Sequence, residues 1–428
     1  MRTLLLVSGI AAALTVAAVA GAGPAGAAPT TTRLSSSSTG LPANGLSELP
    51  GLSDDCRFAT FTSEGSNLVP EANNFIGDVF VKDRRTGTVD KVSVSSTGEE
   101  GNRSSGGLLR PAQITPDGRF VAFDSDAFNL VPGDTNNLTD VFLRDRVKHT
   151  TIRVDVSTTG AQTNGDSGVD AISADGRFVL FSSRATTLIP NDANGLLTDV
   201  FLRDTVAGTT TLLSVTPKGT QVPKDTLGWD MSNDGRFVAF SSLSPYTADD
   251  RNTDEDAYVK DLRTGSIERI SVTSKGRDFP GGSRFGRLSL SADGRFVAFN
   301  AAPAKLLPQI YVRDRVKKTT TLVSVNVKGK PANRAAFDAS ISPNGRFVGF
   351  ETTADDMASP GPGNFSAVYV RDLQAKTTVP ASVTSTGVPI PQSTGETFVC
   401  DAGVAFNSFY PNVTGPPSDQ EQVYFRSR

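Results

Sequence analysis

The sequence predicts an all-β protein, a seven-bladed β-propeller with four antiparallel strands per blade. Three observations predict it. A nine-residue motif recurs at a near-constant interval, each copy is followed by the same succession of short apolar runs, and no window beyond the N-terminal segment carries a convincing helical period.

The motif is SADGRFV at Ser173–Val179 and again, letter for letter, at Ser291–Val297. Looser copies read TPDGRFVAF (Thr115–Phe123), SNDGRFVAF (Ser232–Phe240) and SPNGRFVGF (Ser342–Phe350). SDDCRFATF (Ser53–Phe61) is a degenerate first copy and CDAGVAF (Cys400–Phe406) a degenerate last one. The leading phenylalanines Phe58, Phe120, Phe178, Phe237, Phe296 and Phe347 lie 62, 58, 59, 59 and 51 residues apart. A period of this length belongs to repeat architectures.

Within each unit, four strand-like pieces follow in constant order. In the second unit they are Ala112–Thr115, Arg119–Asp124, Asp140–Asp145 and Thr150–Val156. The second and third, RFVAF and DVFLRD, are Phe- and Val-rich runs bounded by turn residues. They do not alternate between apolar and polar, as expected for strands covered on both faces. AspGly turns join pieces one and two, and ThrGly turns join three and four in some units. Four short antiparallel strands, repeated, read as propeller blades.

The seventh unit runs out before its fourth strand, and Thr30–Gly40 (TTTRLSSSSTG) matches the fourth-strand segments Thr319–Gly329 and Lys91–Gly98. The N-terminal strand is therefore expected to complete the last blade beside Glu421–Arg426, leaving no unpaired edge to invite aggregation. Arg119 opens a second strand and Asp145 ends its antiparallel neighbour, so the two fall at one end of the blade and should pair. The same arrangement recurs as Arg57/Asp83, Arg177/Asp204, Arg236/Asp261, Arg295/Asp314 and Arg346/Asp372. A ring of arginines binding an anion is the other reading, but each arginine has its own aspartate.

The succession SxDGRFVAF, DVFLRD, TTTLVSV resembles the TolB-type, WD40-like propeller repeat of exported bacterial proteins, over essentially the whole chain after residue 27. That resemblance implies the fold. It implies little about activity, since the family contains binding scaffolds and enzyme accessory domains alike.

Residues 1–27 read as a signal peptide: Arg2 is followed by an apolar run from Leu4 to Ala20 and a small-x-small site at Ala25–Ala27. The remainder, 28–428, reads as a single propeller domain, secreted or extracytoplasmic, with no membrane span after cleavage. It carries 41 Lys+Arg against 45 Asp+Glu, a net charge of −4, which argues against a nucleic-acid partner. The two cysteines suggest one disulfide in an oxidising compartment. In the repeat frame, Cys56 takes the place of the glycine in the first AspGly turn and Cys400 stands beside the matching turn of the seventh, so ring closure should bring them together.

No catalytic residue and no cofactor is assigned. The single histidine, His149, sits in a turn where the fifth unit has Lys318, and GxSxG, HExxH and GxxxxGK[ST] patterns do not occur. Trp229 is expected to pack between blades. The acidic run from Asp249 to Asp256 reads as a solvated loop. Asp134, Asn136 and Asp140, and at the same spacing Asp250, Asn252 and Asp256, are candidate Ca²⁺ ligands, since a hard cation takes clustered oxygens; Asx turns shaping the loop explain the same residues. The long connections, between strands two and three and from strand four to the next blade, emerge at one end of the blades. A ligand is expected there or at the channel mouth. The leading expectation is a non-catalytic exported scaffold binding a protein or cell-envelope component. The alternative is an extracellular polysaccharide-active enzyme using carboxylates on the long-loop face.

Overall fold

The computed structural model describes residues 28–70, 75–107, 110–279, 286–302, 307–357, 365–390 and 396–428. The expected signal segment, residues 1–27, lies outside them. The described residues form seven four-stranded antiparallel sheets, each with its strands in chain order from the inside outward except where the ring closes. In the second blade the strands are Gln113–Ile114, Phe120–Ser125, Asp140–Asp145 and Thr150–Arg153.

The missing alternation in strands two and three has its cause here. Asp140–Asp145 is buried at all six positions and Phe120–Ser125 at five, because each sheet is sandwiched between its neighbours. The outer strand, Thr150–Arg153, does alternate. The last phenylalanine of each RFVAF-type run faces the aromatic residue of the third strand in direct register, as in Phe123 opposite Phe142. All seven blades repeat this stack, with ring centroids 5.4–6.1 Å apart. Such a pair contributes ~0.5–1.5 kcal/mol beyond the area it buries.

All six Arg/Asp pairs form within their blades, at 2.6–2.7 Å. Asp145 also accepts the N–H groups of Val147 and Lys148, so it orders the turn that follows. The Arg119 hydrogen bonds hold its carboxyl down at about 2. Each of these arginines also lies over the ring of the phenylalanine after it, so the arginine ring is structural.

Blades lock to one another through the AspGly turn. Gly118 has φ +72°, and a Cβ there would lie 2.4 Å from the ring of Phe58 in the preceding blade. Gly176, Gly235, Gly294 and Gly345 meet Phe120, Phe178, Phe237 and Phe296 in the same way. Only a residue without a side chain combines this conformation with this approach. In the first blade Cys56 takes the position, at φ +62°, and forms a disulfide with Cys400 at a Cα separation of 5.6 Å.

The ring closes as expected. Thr31–Arg33 pairs antiparallel with Tyr424–Arg426, and Leu34 N–H continues the ladder to the Val423 carbonyl at 2.8 Å.

Candidate functional site

The innermost strands surround a channel, and its two ends differ. At the short-turn end the residues after each motif serine meet one another. Ala174 N–H donates to Asn233, Asn233 N–H to Ala292, and Ala292 N–H to Pro343, each at 2.9 Å. The Asn233 amide reaches across the ring to Asp54 at 2.5 Å. This belt leaves a cavity of only ≈ 80 Å³.

At the long-loop end the channel widens to a cavity of ≈ 320 Å³ to which every blade contributes: Pro50, Arg110, Asp170, Trp229, Arg287, Asp338 and Glu396, in blade order. Local backbone irregularity aims several of them inward. The first strands of blades one, three, four and six each carry a register shift, and Pro50, Asp170, Trp229 and Asp338 sit within those shifts. A bulge re-aims a side chain in this way. Asp338 and Glu396 have φ of +50° and +35°, a conformation that costs free energy and recurs where function requires it.

The charges are unevenly matched. Arg110 is ion-paired with Asp170, donates to the Gly228 carbonyl at 2.6 Å and lies 4.5 Å above the Trp229 ring. Burial pushes its guanidinium down to about 10. Arg110 and Asp170 also line a ≈ 480 Å³ groove between blades two and three, so their ion pair is the wall between the two spaces. Asp124 in that groove is raised to about 6 by burial, although it accepts the Gly107 N–H at 2.7 Å. Arg287 lies 4.3 Å above Phe398. Around it burial raises Asp230 to about 6 and Glu396 to about 7, and holds Asp338 above the carboxylate range, where it hydrogen-bonds Glu351. Glu421 is likewise pushed to about 7, by burial and then by Glu48.

The sequence-derived candidates lie elsewhere, at the outer side of the blades. Asn136 and Asn252 accept the N–H two residues on, from Leu138 and Asp254, which makes both loops Asx turns. Their amides donate to Asp140 and Asp256. In each loop an arginine of the fourth strand faces the carboxylates. Arg153 lies 3.7 Å from Asp134 and 3.6 Å from Asp140; Arg269 lies 3.6 Å from Asp250 and 3.5 Å from Asp256. Among the described residues, no three His, Cys, Asp or Glu side chains come together so as to hold a metal ion. His149 is an exposed turn residue at φ +57°, as is Lys318. Trp229 packs against the core of the next blade as expected, but it also lines the channel cavity.

The mouth residues escaped the sequence reading because they fall at irregular positions just before or within the first strands, the least regular part of the repeat. The departures Trp229 and Asp170 from an otherwise small or apolar position were the available signal.

No family model matches the chain, and no curated protein matches it in sequence. Solved structures resemble it in fold. Oligogalacturonate lyase from Vibrio parahaemolyticus is similar at TM-score 0.53 and 12% identity, over 93% of each chain. The β-propeller domain of the trilobed protease from Pyrococcus furiosus is similar at TM-score 0.52 and 12% identity, over 89% of this chain and 95% of that one. TolB from Acinetobacter baumannii is similar at TM-score 0.41 and 17% identity, over 80% of this chain and 65% of TolB. The likenesses above a TM-score of 0.5 establish the shared propeller fold; at these identities function does not follow from it.

Proposed function

We propose that this protein is an exported, non-catalytic binding propeller that captures a protein or cell-envelope component at the long-loop mouth of its channel. The observation that carries this reading is the cavity to which all seven blades contribute, wide at the long-loop end and narrowed by a hydrogen-bonded belt at the other. Ligand sites are concave and held by rigid elements. The Cys56–Cys400 disulfide supports export, because oxidising compartments preserve such bonds.

The convergence of Asp338, Glu351 and Glu396 favours a second reading, an enzyme acting on extracellular polysaccharide, since glycosidic bonds are cleaved between paired carboxyl groups.

Capture from cell-envelope and secreted fractions separates the two. Binding of one partner by the wild-type chain and by Asp134→Ala, with loss in Asp338→Ala and Glu396→Ala, supports the scaffold. Release of reducing ends from a polysaccharide, abolished by those same two substitutions, would replace it with the enzyme.

A further inference from the structure

Two oxygens at the mouth stand without hydrogen-bond partners among the described residues. Thr397 lines the cavity, is 1% exposed, and its hydroxyl oxygen meets no hydrogen-bond partner among the described residues. Glu396 Oε2, at the same cavity, and Oδ1 of Asn407, buried outside its lining, likewise meet no hydrogen-bond partner among the described residues. The Asn407 amide donates one N–H to Glu421 at 2.7 Å. At the mouth itself the Glu396 carboxyl oxygen and the Thr397 hydroxyl stand without partners, and leaving buried polar groups unpaired is costly.

Charge points the same way. Once Arg110 is matched by Asp170, the remaining cation of the lining is Arg287. It makes no ion pair within 4 Å among the described residues, and its hydrogen bond goes to the Thr397 carbonyl at 3.5 Å. Around Glu396 stand Arg287 from blade five, Asp338 from blade six, Glu48 from blade one and Glu421 from its own blade. Above about pH 7, where Glu396 and Glu421 ionise despite their burial, three carboxyl neighbours against one guanidinium make the local field negative, and a walled channel focuses such a field toward its mouth. A ligand that brings positive charge and N–H donors would satisfy the Glu396 and Thr397 oxygens. An ammonium group meets that description.

We propose that the long-loop mouth receives the alkylammonium of a lysine side chain presented by a partner polypeptide, held by Glu396, Asp338 and the Thr397 hydroxyl. This rests on the binding reading above and names its ligand. Because burial holds the Glu396 carboxyl at about 7, the site is a carboxylate above that pH and a neutral acid below it, and lysine binding strengthens as pH rises through 7.

Trp229 is the single tryptophan and lines the cavity, so its fluorescence reads the site directly. The whole exported chain is titrated with doubly capped glycyl-lysyl-glycine, with its alanine and glutamate counterparts, and with butylamine. The expected result is a saturable change with the lysine peptide at pH ~8, about tenfold weaker at pH ~6 as the carboxyl protonates, and none with alanine or glutamate. Glu396→Gln and Thr397→Val, each checked for an unchanged melting curve, should each weaken binding by about tenfold. Binding that ignores pH or survives Glu396→Gln overturns the proposal, and butylamine binding as tightly as the peptide overturns the polypeptide source. A silent lysine peptide, with partner capture still dependent on Asp338 and Glu396, means that the ligand class is wrong and the binding reading stands.

Discussion

Cys56 and Cys400 join the first blade to the last at the point where five other seams press a glycine onto a phenylalanine ring. Phe347, at the seam of blades six and seven, is covered instead by the Arg428 guanidinium, 3.2 Å away. The covalent bond thus stands at the junction that also depends on a single three-residue strand, Thr31–Arg33. Closing a loop of 344 residues restricts the unfolded chain strongly. Replacing both cysteines with alanine should lower the unfolding free energy by about 2–5 kcal/mol. Urea denaturation with and without reductant checks it; an unchanged midpoint would show that the seam holds without the bond.

Deleting residues 28–37 tests the other half of the closure. It removes the strand that pairs with Tyr424–Arg426 and exposes an outer edge in blade seven. The truncated chain should aggregate at concentrations where the intact one stays monodisperse in light scattering.

Gly118→Ala should cost about 2–4 kcal/mol, combining the left-handed conformation with overpacking against Phe58. Gly160→Ala separates the two causes, since Gly160 has φ +83° but nothing within 4 Å of an added Cβ. Its cost should be nearer ~1 kcal/mol. Equal losses in the two variants would mean that the ring contact is unimportant.

Asp155→Ser should stabilise the protein. In six blades a serine after the fourth strand, such as Ser93 or Ser214, accepts an N–H of the third strand; blade two alone has Asp155 there, beside Asp140. Burial, then the Asp140 charge, raise the Asp155 carboxyl well above its ordinary value. The folded state therefore holds this proton more tightly than the unfolded one. The stability it contributes is present below the unfolded value of ~3.9 and is lost as pH rises toward the folded one. The serine variant should gain about 1–2 kcal/mol near neutral pH and less at pH ~4. A gain that does not shrink on acidification would contradict this.

Calcium should raise the melting temperature of the wild-type chain little, because Arg153 already supplies positive charge to Asp134 and Asp140. We propose that Arg153→Met makes the blade-two loop calcium-responsive, with a melting shift that grows with free calcium and vanishes when Asp134 and Asp140 are also replaced by alanine. A large wild-type shift would show instead that calcium displaces the guanidinium.

The repeat made most of the scaffold legible. The recurring RFVAF and DVFLRD runs specified strands, the AspGly turns specified their joints, and the one unmatched cysteine pair and the stray TTTRLSSSSTG segment located the closure. These features depend on local sequence and on blade-to-blade equivalence, which a linear chain displays directly. Asp170, Arg287, Asp338 and Glu396 were not legible, because they belong to four different blades and meet only when the ring closes. The arginines facing the acidic loops were hidden too, since Arg153 comes from a strand that follows its loop and reaches back only once the two strands pair. The sequence determined a ring of seven blades and how it is fastened. Only the tertiary structure decided which side chains share the channel mouth, because burial and proximity across blades, rather than spacing along the chain, set their charges and their missing partners.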